Sequence, residues 1–124
     1  RSEMKIELGH LPDPDLNPNR TMHHIKKWKA KSIAKQEAYM LCLVSGQVPA
    51  TPHERVLISI TFISSDKKRR DLDNLFASMK AYIDGIVDAK VMKDDNIQHV
   101  SDYILRYRAG KKANTIIEIG GYDG

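Results

Sequence analysis

The sequence predicts one small domain of the mixed α/β (α+β) class: a four-stranded mixed sheet flanked by helices, in the order strand, helix, strand, helix, strand, strand. Three observations carry this. Arg55 to Ser64 reads as a strand with apolar residues on both faces, the mark of a central position in a sheet. Asn74 to Ala89 repeats apolar residues at helical spacing. A length of 124 residues with 41% hydrophobic content suits a single domain, residues 1–124, with a real core.

The elements follow in chain order. Met4-Lys5-Ile6-Glu7-Leu8 alternates apolar and polar, a short strand. Gly9 to Arg20 carries Pro12, Pro14 and Pro18 among Asp13, Asp15, Asn17 and Asn19, which predicts an ordered series of turns. Thr21 is a suitable helix N-cap. Met22 to about Leu43, rich in Lys, Ala, Gln and Glu, then reads as a long helix that Gly46 and Pro49 end.

In the central strand Val56, Ile58, Ile60 and Phe62 share one face, and Leu57, Ser59, Thr61 and Ile63 the other. In the second helix Leu75, Met79, Tyr82 or Ile83, and Ile86 form the buried stripe. Asp94-Asp95-Asn96 is a turn. Ile97 to Arg108 and Ala113 to Ile119 are strands that Ala109-Gly110-Lys111-Lys112 would join as a hairpin; Gly120-Gly121 reads as a terminal turn.

No apolar run reaches the ~18 residues that span a bilayer. The start, Arg1-Ser2-Glu3-Met4, lacks the apolar stretch of a signal peptide, and Met4 reads as the natural start with three residues added ahead of it. The single cysteine, Cys42, rules out an internal disulfide and a cysteine-based zinc site. Its place in Met40-Leu41-Cys42-Leu43-Val44 suits the core, and a reducing cytoplasm fits.

The net charge of +4 is unevenly placed. Lys26, Lys27, Lys29, Lys31 and Lys35 form one block, Lys67-Lys68-Arg69-Arg70 a second, and Arg106, Arg108, Lys111 and Lys112 a third. Any one block suits a solvated face. Three, next to clustered carboxylates, point to a polyanion partner plus a metal.

Asp71 and Asp73 sit where the central strand gives way to a helix, and Asp94 and Asp95 where the next strand begins. If both junctions lie at the same end of the sheet, the carboxylates converge. Carboxylate oxygens suit Mg²⁺, which keeps several waters and binds phosphate oxygens beside one or two protein ligands. The plainer readings are a helix N-cap for the first pair and turn chemistry for the second. Lys80 lies two helical turns beyond Asp73, on nearly the same face, where an ammonium can hold a phosphate or stabilise charge in a transition state. Its plainer role is an intrahelical pair with Asp84.

The run Arg69-Arg70-Asp71-Leu72-Asp73-Asn74-Leu75, then Lys80, then Asp84-Gly85-Ile86-Val87, then Val91 to Asp95, resembles the RusA family of Holliday junction endonucleases. The Pro-rich segment Leu16-Asn17-Pro18-Asn19-Arg20, followed by His23, His24 and Trp28, is loosely similar to that family's start. The resemblance implies Asp71, Asp73 and Asp95 as ligands of Mg²⁺, or Mn²⁺ in its place, and Lys80 as the fourth catalytic residue. Members differ at one point: some place the lysine four residues after the second Asp, where this chain has Ala77, and others seven after, as with Lys80 here.

The resemblance also implies a bacterial or phage protein acting on DNA. Arg20, Lys26, Lys27, Lys29, Lys67, Lys68, Arg69 and Arg70 would then grip backbone phosphates without reading bases. A four-way junction has approximate two-fold symmetry and needs two cuts, which a C2 homodimer matches. Two rivals remain: a basic DNA-binding protein without catalysis, in which the aspartates are caps, and a metal-dependent nuclease acting on other structures such as flaps.

Other signals are weaker. Adjacent His23 and His24 point to different helix faces and lack the spacing of a metal pair, so solvated or packing roles suit the five histidines. A lone tryptophan on a long helix, Trp28, is more often core than a stacking platform. No Gly-rich phosphate loop or Ser-His-Asp set is visible.

Overall fold

The computed structural model describes residues 4–121; the reading of Arg1-Ser2-Glu3 as an addition lies outside them. The chain forms β1 (Met4–Glu7), a single 3₁₀ turn at Pro14–Leu16, α1 (His24–Ser45), β2 (Val56–Ser64), α2 (Leu72–Ala77), α3 (Lys80–Asp88), β3 (Val100–Ala109) and β4 (Asn114–Gly121). The strands make one mixed sheet in the order β1-β4-β2-β3. The mixed α/β class and the central position of β2 are as the sequence predicts. No helix among the described residues is long and apolar enough to cross a membrane.

The expected hairpin between the last two strands does not form. β3 pairs with β2 in parallel and β4 pairs with β2 antiparallel, so β2 lies between them. The connecting loop therefore passes over the end of β2, where the Gly110 N–H donates to the Ser64 carbonyl at 2.9 Å. A side chain at Gly110 would meet Ile63 Cγ2 at 2.6 Å, which is why glycine suits the crossing. Gly120 and Gly121 are not a terminal turn; they extend β4 and pair with Leu57 and Val56.

The helices cover one face of the sheet. Ile58, Ile60, Phe62, Ile117 and Ile119 are fully buried there, and the inward side chains of α1 and α3 belong to the same cluster. On the other face, Asp102, Ile104, Arg106 and Arg108 of β3 are exposed. Arg106 there donates to the Ser59 hydroxyl at 3.2 Å.

α1 starts later than Thr21 suggests. His23 is its N-cap, with Nδ1 accepting from the Ile25 N–H at 3.3 Å, and Gly46 ends it in the left-handed conformation at φ 69°. Its buried stripe is small: Ala30, Ala34, Ala38 and Cys42, spaced four apart. Cys42 is a core residue, and burial pushes its thiol up to about 11, which keeps it protonated and inert.

Small residues let α3 come close. A Cβ on Gly85 would lie 2.2 Å from the Lys35 carbonyl oxygen, a backbone atom of α1 that cannot swing aside. Gly85→Ala is therefore expected to force the helices apart and cost about 1–3 kcal/mol, the usual range for overpacking. A urea unfolding curve checks this; an unchanged midpoint would mean that the α1–α3 contact is looser than described.

The helix expected over Asn74 to Ala89 is two helices. It starts earlier, at Leu72, and breaks at Ser78 and Met79. The Ser78 hydroxyl donates to the Asn74 carbonyl at 2.9 Å, and the Met79 N–H bonds three residues back to Phe76. Serine back-bonding of this kind bends helices, and the tightened turn completes the break.

The N-terminal segment is ordered by named contacts. Both ring nitrogens of His10 face acceptors: the Leu11 carbonyl at 2.6 Å and Glu37 at 2.7 Å. Burial works to lower the pKa of His10, but these two hydrogen bonds together with the charges of Glu37 and Asp13 outweigh it, and the net shift is upward. The Tyr82 hydroxyl accepts from the Asp13 N–H at 3.2 Å. The segment is thus held against both α1 and α3.

Candidate active site

Because β2 and β3 run parallel, the C-terminal end of β2 and the N-terminal end of β3 lie at opposite ends of the sheet. The condition for convergence, that both carboxylate-bearing junctions share one end, is not met. The side chains instead form two groups, one about Asp71 and Asp73 at the start of α2 and one about Lys80 at the start of α3.

In the first group Asp71, but not Asp73, lines a cleft of about 510 Å³ between the N-terminal segment and α2, walled also by Pro12, Asn17, Lys68, Arg69 and Asn74 among others. Asp71 occupies the N-cap position of α2, yet its side chain makes no capping hydrogen bond. Its carboxylate is 55% exposed, and the Arg69 Nε is 3.9 Å away. The capping role open to it in sequence is not the one it takes. The exposed Asp73 accepts from the neighbouring Asn74 N–H at 3.0 Å. Asn74 accepts from the Asn19 side-chain amide at 2.9 Å, which fastens the N-terminal segment to α2 beside both aspartates. Sequence reasoning gave Asn74 no such role; its place in Asp-x-Asp-Asn was the available signal.

The second group centres on Lys80, the first residue of α3. Its ammonium donates to Asp84 Oδ1 at 2.9 Å and also to Asp95 Oδ2. The hydrogen bond to Asp95, supported by Asp84, raises the Lys80 pKa well above the ordinary lysine value. For Asp95 partial burial works to raise the pKa, but the Lys80 ammonium more than offsets it, and the net shift is downward. Asp94 shapes the turn: its Oδ1 accepts from the Asp95 N–H at 2.8 Å.

Tyr103 of β3 feels the charges of Asp95, Lys80 and Asp84, and its ring meets Phe76 edge-on at 4.8 Å. Burial first, then the two carboxylates, push its hydroxyl up to about 12. Nothing in its sequence context marked Tyr103 as a neighbour of the site.

Lys80 therefore joins Asp84 and Asp95, but no contact joins these to Asp71 or Asp73. Among the described residues no group of three or more His, Cys, Asp or Glu side chains gathers as a metal site. The donor chemistry of the exposed Asp71 and Asp73 suits a hard divalent cation, whereas the charge of Asp95 is already matched by Lys80.

The cationic residues divide by how firmly they are held. Arg70 is a clasp: its two terminal nitrogens take both Asp66 carboxylate oxygens at 2.8 and 3.0 Å, and the Ser64 hydroxyl at 3.0 Å. Its pKa rises chiefly through the Asp66 hydrogen bond, and Asp66 falls well below the carboxylate range through the same bond. That clasp holds the loop while Lys67, Lys68 and Arg69 are exposed. Arg20 lies 3.7 Å from Asp15, and Lys27 donates to the Arg20 carbonyl at 3.3 Å. Lys26 and Lys29 are exposed on α1. Trp28 is 67% exposed and not a core residue, contrary to the sequence expectation. The inner face of α1 is built from alanines too close to α3 to seat an indole.

Compared with family models and with curated proteins, the chain matches none.

Proposed function

We propose that the chain is a Mg²⁺-dependent endonuclease of branched DNA, of the RusA type, that cuts phosphodiester bonds at four-way junctions in the cytoplasm. The observation that carries this reading is Asp71, an exposed carboxylate at the N-terminus of α2 that caps nothing and stands in a cleft with Lys68 and Arg69. A carboxylate there suits a metal, and the cations beside it suit the phosphate the metal would act on.

In this reading Asp71 and Asp73 would hold Mg²⁺, with Mn²⁺ a substitute, and Asp95 would become the third ligand only by giving up its pairing with Lys80 and moving toward them. The metal supplies Lewis-acid polarisation of the phosphate and activation of water. Lys80 keeps Asp95 ionised and presents an ammonium to the negative charge that builds up on the phosphate. Asn74, through Asn19, fixes the cleft wall. Two copies of the chain, related by two-fold symmetry, make the paired cuts that a junction needs.

The test is cleavage of a labelled four-way junction with and without Mg²⁺, with linear duplex as competitor. Metal-dependent cutting that excess duplex leaves intact supports the reading. Equal competition by duplex favours a nuclease of broader substrate range.

A second reading, DNA binding without catalysis, is favoured by one observation: Asp95 is matched to Lys80 rather than gathered with Asp71 and Asp73. Binding without cleavage in either metal would select it.

Both readings share an electrostatic grip. Lys27 and Lys29 stand at the N-terminal part of α1, near Arg20. Junction affinity is expected to fall steeply with salt. Lys27→Gln with Lys29→Gln should lower the log–log slope by ~0.9 for each phosphate that the variant no longer neutralises. An unchanged slope would assign these lysines to a merely solvated surface.

A further inference from the structure

We propose that the cavity between α1 and α3 is a pocket for one unpaired nucleotide of a nucleic-acid strand, with the Trp28 indole stacking on its base. This rests on the reading of the chain as a branched-DNA protein and adds a site to it. The cavity, of about 430 Å³, is lined on one side by Trp28, Lys31, Ser32 and Lys35 and on the other by Lys80, Ala81 and Asp84. On α1 these residues fall at i, i+3, i+4 and i+7, a single stripe facing α3.

The helices touch at Gly85 and Lys35. The cavity opens on the N-terminal side of that contact on both helices, where Ser32, Ser78, Ala77 and Ala81 leave room between the backbones. Its volume lies within the roughly 300–1,000 Å³ range of pockets that hold small ligands.

The lining has the chemistry of a nucleotide site. An indole is a large apolar surface normally packed or paired, yet Trp28 is 67% exposed at the mouth. Stacking on an aromatic ring tolerates any base, because every base has a π face. Lys31 supplies an exposed ammonium for a phosphate. Lys35 sits 3.3 Å from Asp88, both about half-exposed, a surface pair weak enough to exchange for a phosphate. Lys80 offsets the charge of Asp84 only in part, because it also bonds Asp95, so Lys31 and Lys35 carry the attraction for the anion. Ser32 offers a hydroxyl to a polar edge. Since Lys80 also bonds Asp95, a nucleotide held here lies beside the candidate active site. A base at a branch point, or one left without a partner there, is extruded at lower cost than a base stacked within a linear duplex, so the pocket would favour branched substrates.

Trp28 is the chain's one tryptophan, so its fluorescence reports on this pocket alone. The experiment titrates the protein, with divalent metal chelated, with three probes: a short oligothymidylate, a four-way junction carrying unpaired thymidines at the branch, and a linear duplex. Binding is followed in parallel by anisotropy of labelled DNA.

Quenching by the first two probes, and little by the duplex at equal occupancy, is the expected result. Trp28→Ala is expected to weaken binding of the unpaired substrates by about 5- to 150-fold, the range for loss of one stacked base. Duplex binding should stay unchanged, and Trp28→Phe should retain most of the affinity. As Trp28 is exposed, neither variant threatens the fold.

Binding by anisotropy without quenching, or binding of the unpaired probes by Trp28→Ala as tight as by the unsubstituted protein, overturns the pocket and leaves the nuclease reading standing. No binding of any probe overturns both. Fluorescence that changes with protein concentration in the absence of DNA would mean that a second copy covers Trp28, and also overturns the proposal.

Discussion

Asp71→Asn is expected to abolish junction cleavage while leaving the fold and junction binding intact. The side chain makes no capping hydrogen bond to α2, is 55% exposed, and among the described residues has only a distant contact with Arg69 at 3.9 Å. Removing its charge thus disturbs no more than an exposed pair with Arg69, and the stability change should stay within about 0.5 kcal/mol, as for a surface substitution. Loss of a metal ligand, by contrast, should cost more than the roughly 10–100-fold that follows when only a ligand's hydrogen-bonding support is lost. Binding with metal chelated should be equal or tighter, because one carboxylate no longer repels the phosphate backbone. Asp73→Asn should behave alike, since among the described residues its carboxylate accepts a hydrogen bond only from the next backbone N–H. Single-turnover cleavage beside a binding isotherm separates the effects. A normal cutting rate for both variants would remove the first group from the chemistry and leave it as a turn.

How much of this was legible in the sequence differs by feature. The central strand was, because Val56 to Phe62 and Leu57 to Ile63 supply two apolar faces that only a mid-sheet position uses. The β3–β4 connection was not. Four residues between strands suggest adjacency, and whether the second strand pairs with the first or crosses β2 depends on which edge of β2 is already taken. That is a long-range choice, and Gly110 alone does not encode it. The break in the second helix hinged on a side-chain hydroxyl, Ser78, turning back on its own helix. Local propensity does not see that bond.

The site shows the same division. The residues of the motif were legible, but their convergence depended on strand direction. Parallel pairing of β2 with β3 separates the two junctions and leaves α2, α3 and the turn before β3 to bring side chains together. Lys80 with Asp95 is a contact across fifteen positions of sequence that no helical stripe contains. Lys80 with Asp84 follows directly from the i, i+4 spacing. Trp28 was misplaced for a packing reason: the inner stripe of α1 is Ala30, Ala34, Ala38 and Cys42, so the helix buries its small residues and turns large ones outward.

Lys80→Ala is expected to lose most of the cleavage rate, and the structure alters the reason. From sequence the choice lay between an ammonium reaching a phosphate and a surface pair with Asp84 worth only ~0.2–0.5 kcal/mol. Lys80 bonds both Asp84 and Asp95, and the Asp95 side chain is only 19% exposed. Without the ammonium, only the hydrogen bonds from Asp94 and the local backbone still oppose burial at Asp95, and its pKa should rise from its lowered value. The sign of the stability effect follows. Asp95, with a lowered pKa in the fold, contributes stability present above the ordinary carboxylate range and lost as pH falls through its folded value. Lys80, with a raised pKa, contributes stability present below the ordinary lysine value and lost as pH rises through its folded value. The pair should therefore stabilise the protein across the neutral range, and Lys80→Ala should flatten the acid limb of the stability curve that Asp95 produces. For cleavage, the loss of a charge positioned for the transition state is expected to cost on the order of 10²–10³ in rate. Junction affinity should change little, since Lys80 is one cation among many. Lys80→Arg separates the roles: it keeps the positive charge near Asp95 and should preserve the acid limb, while a displaced charge centre restores cutting only in part. A Lys80→Ala protein that cuts at the normal rate, with the acid limb flattened as described, would leave Lys80 a structural partner of Asp95 and remove it from the chemistry.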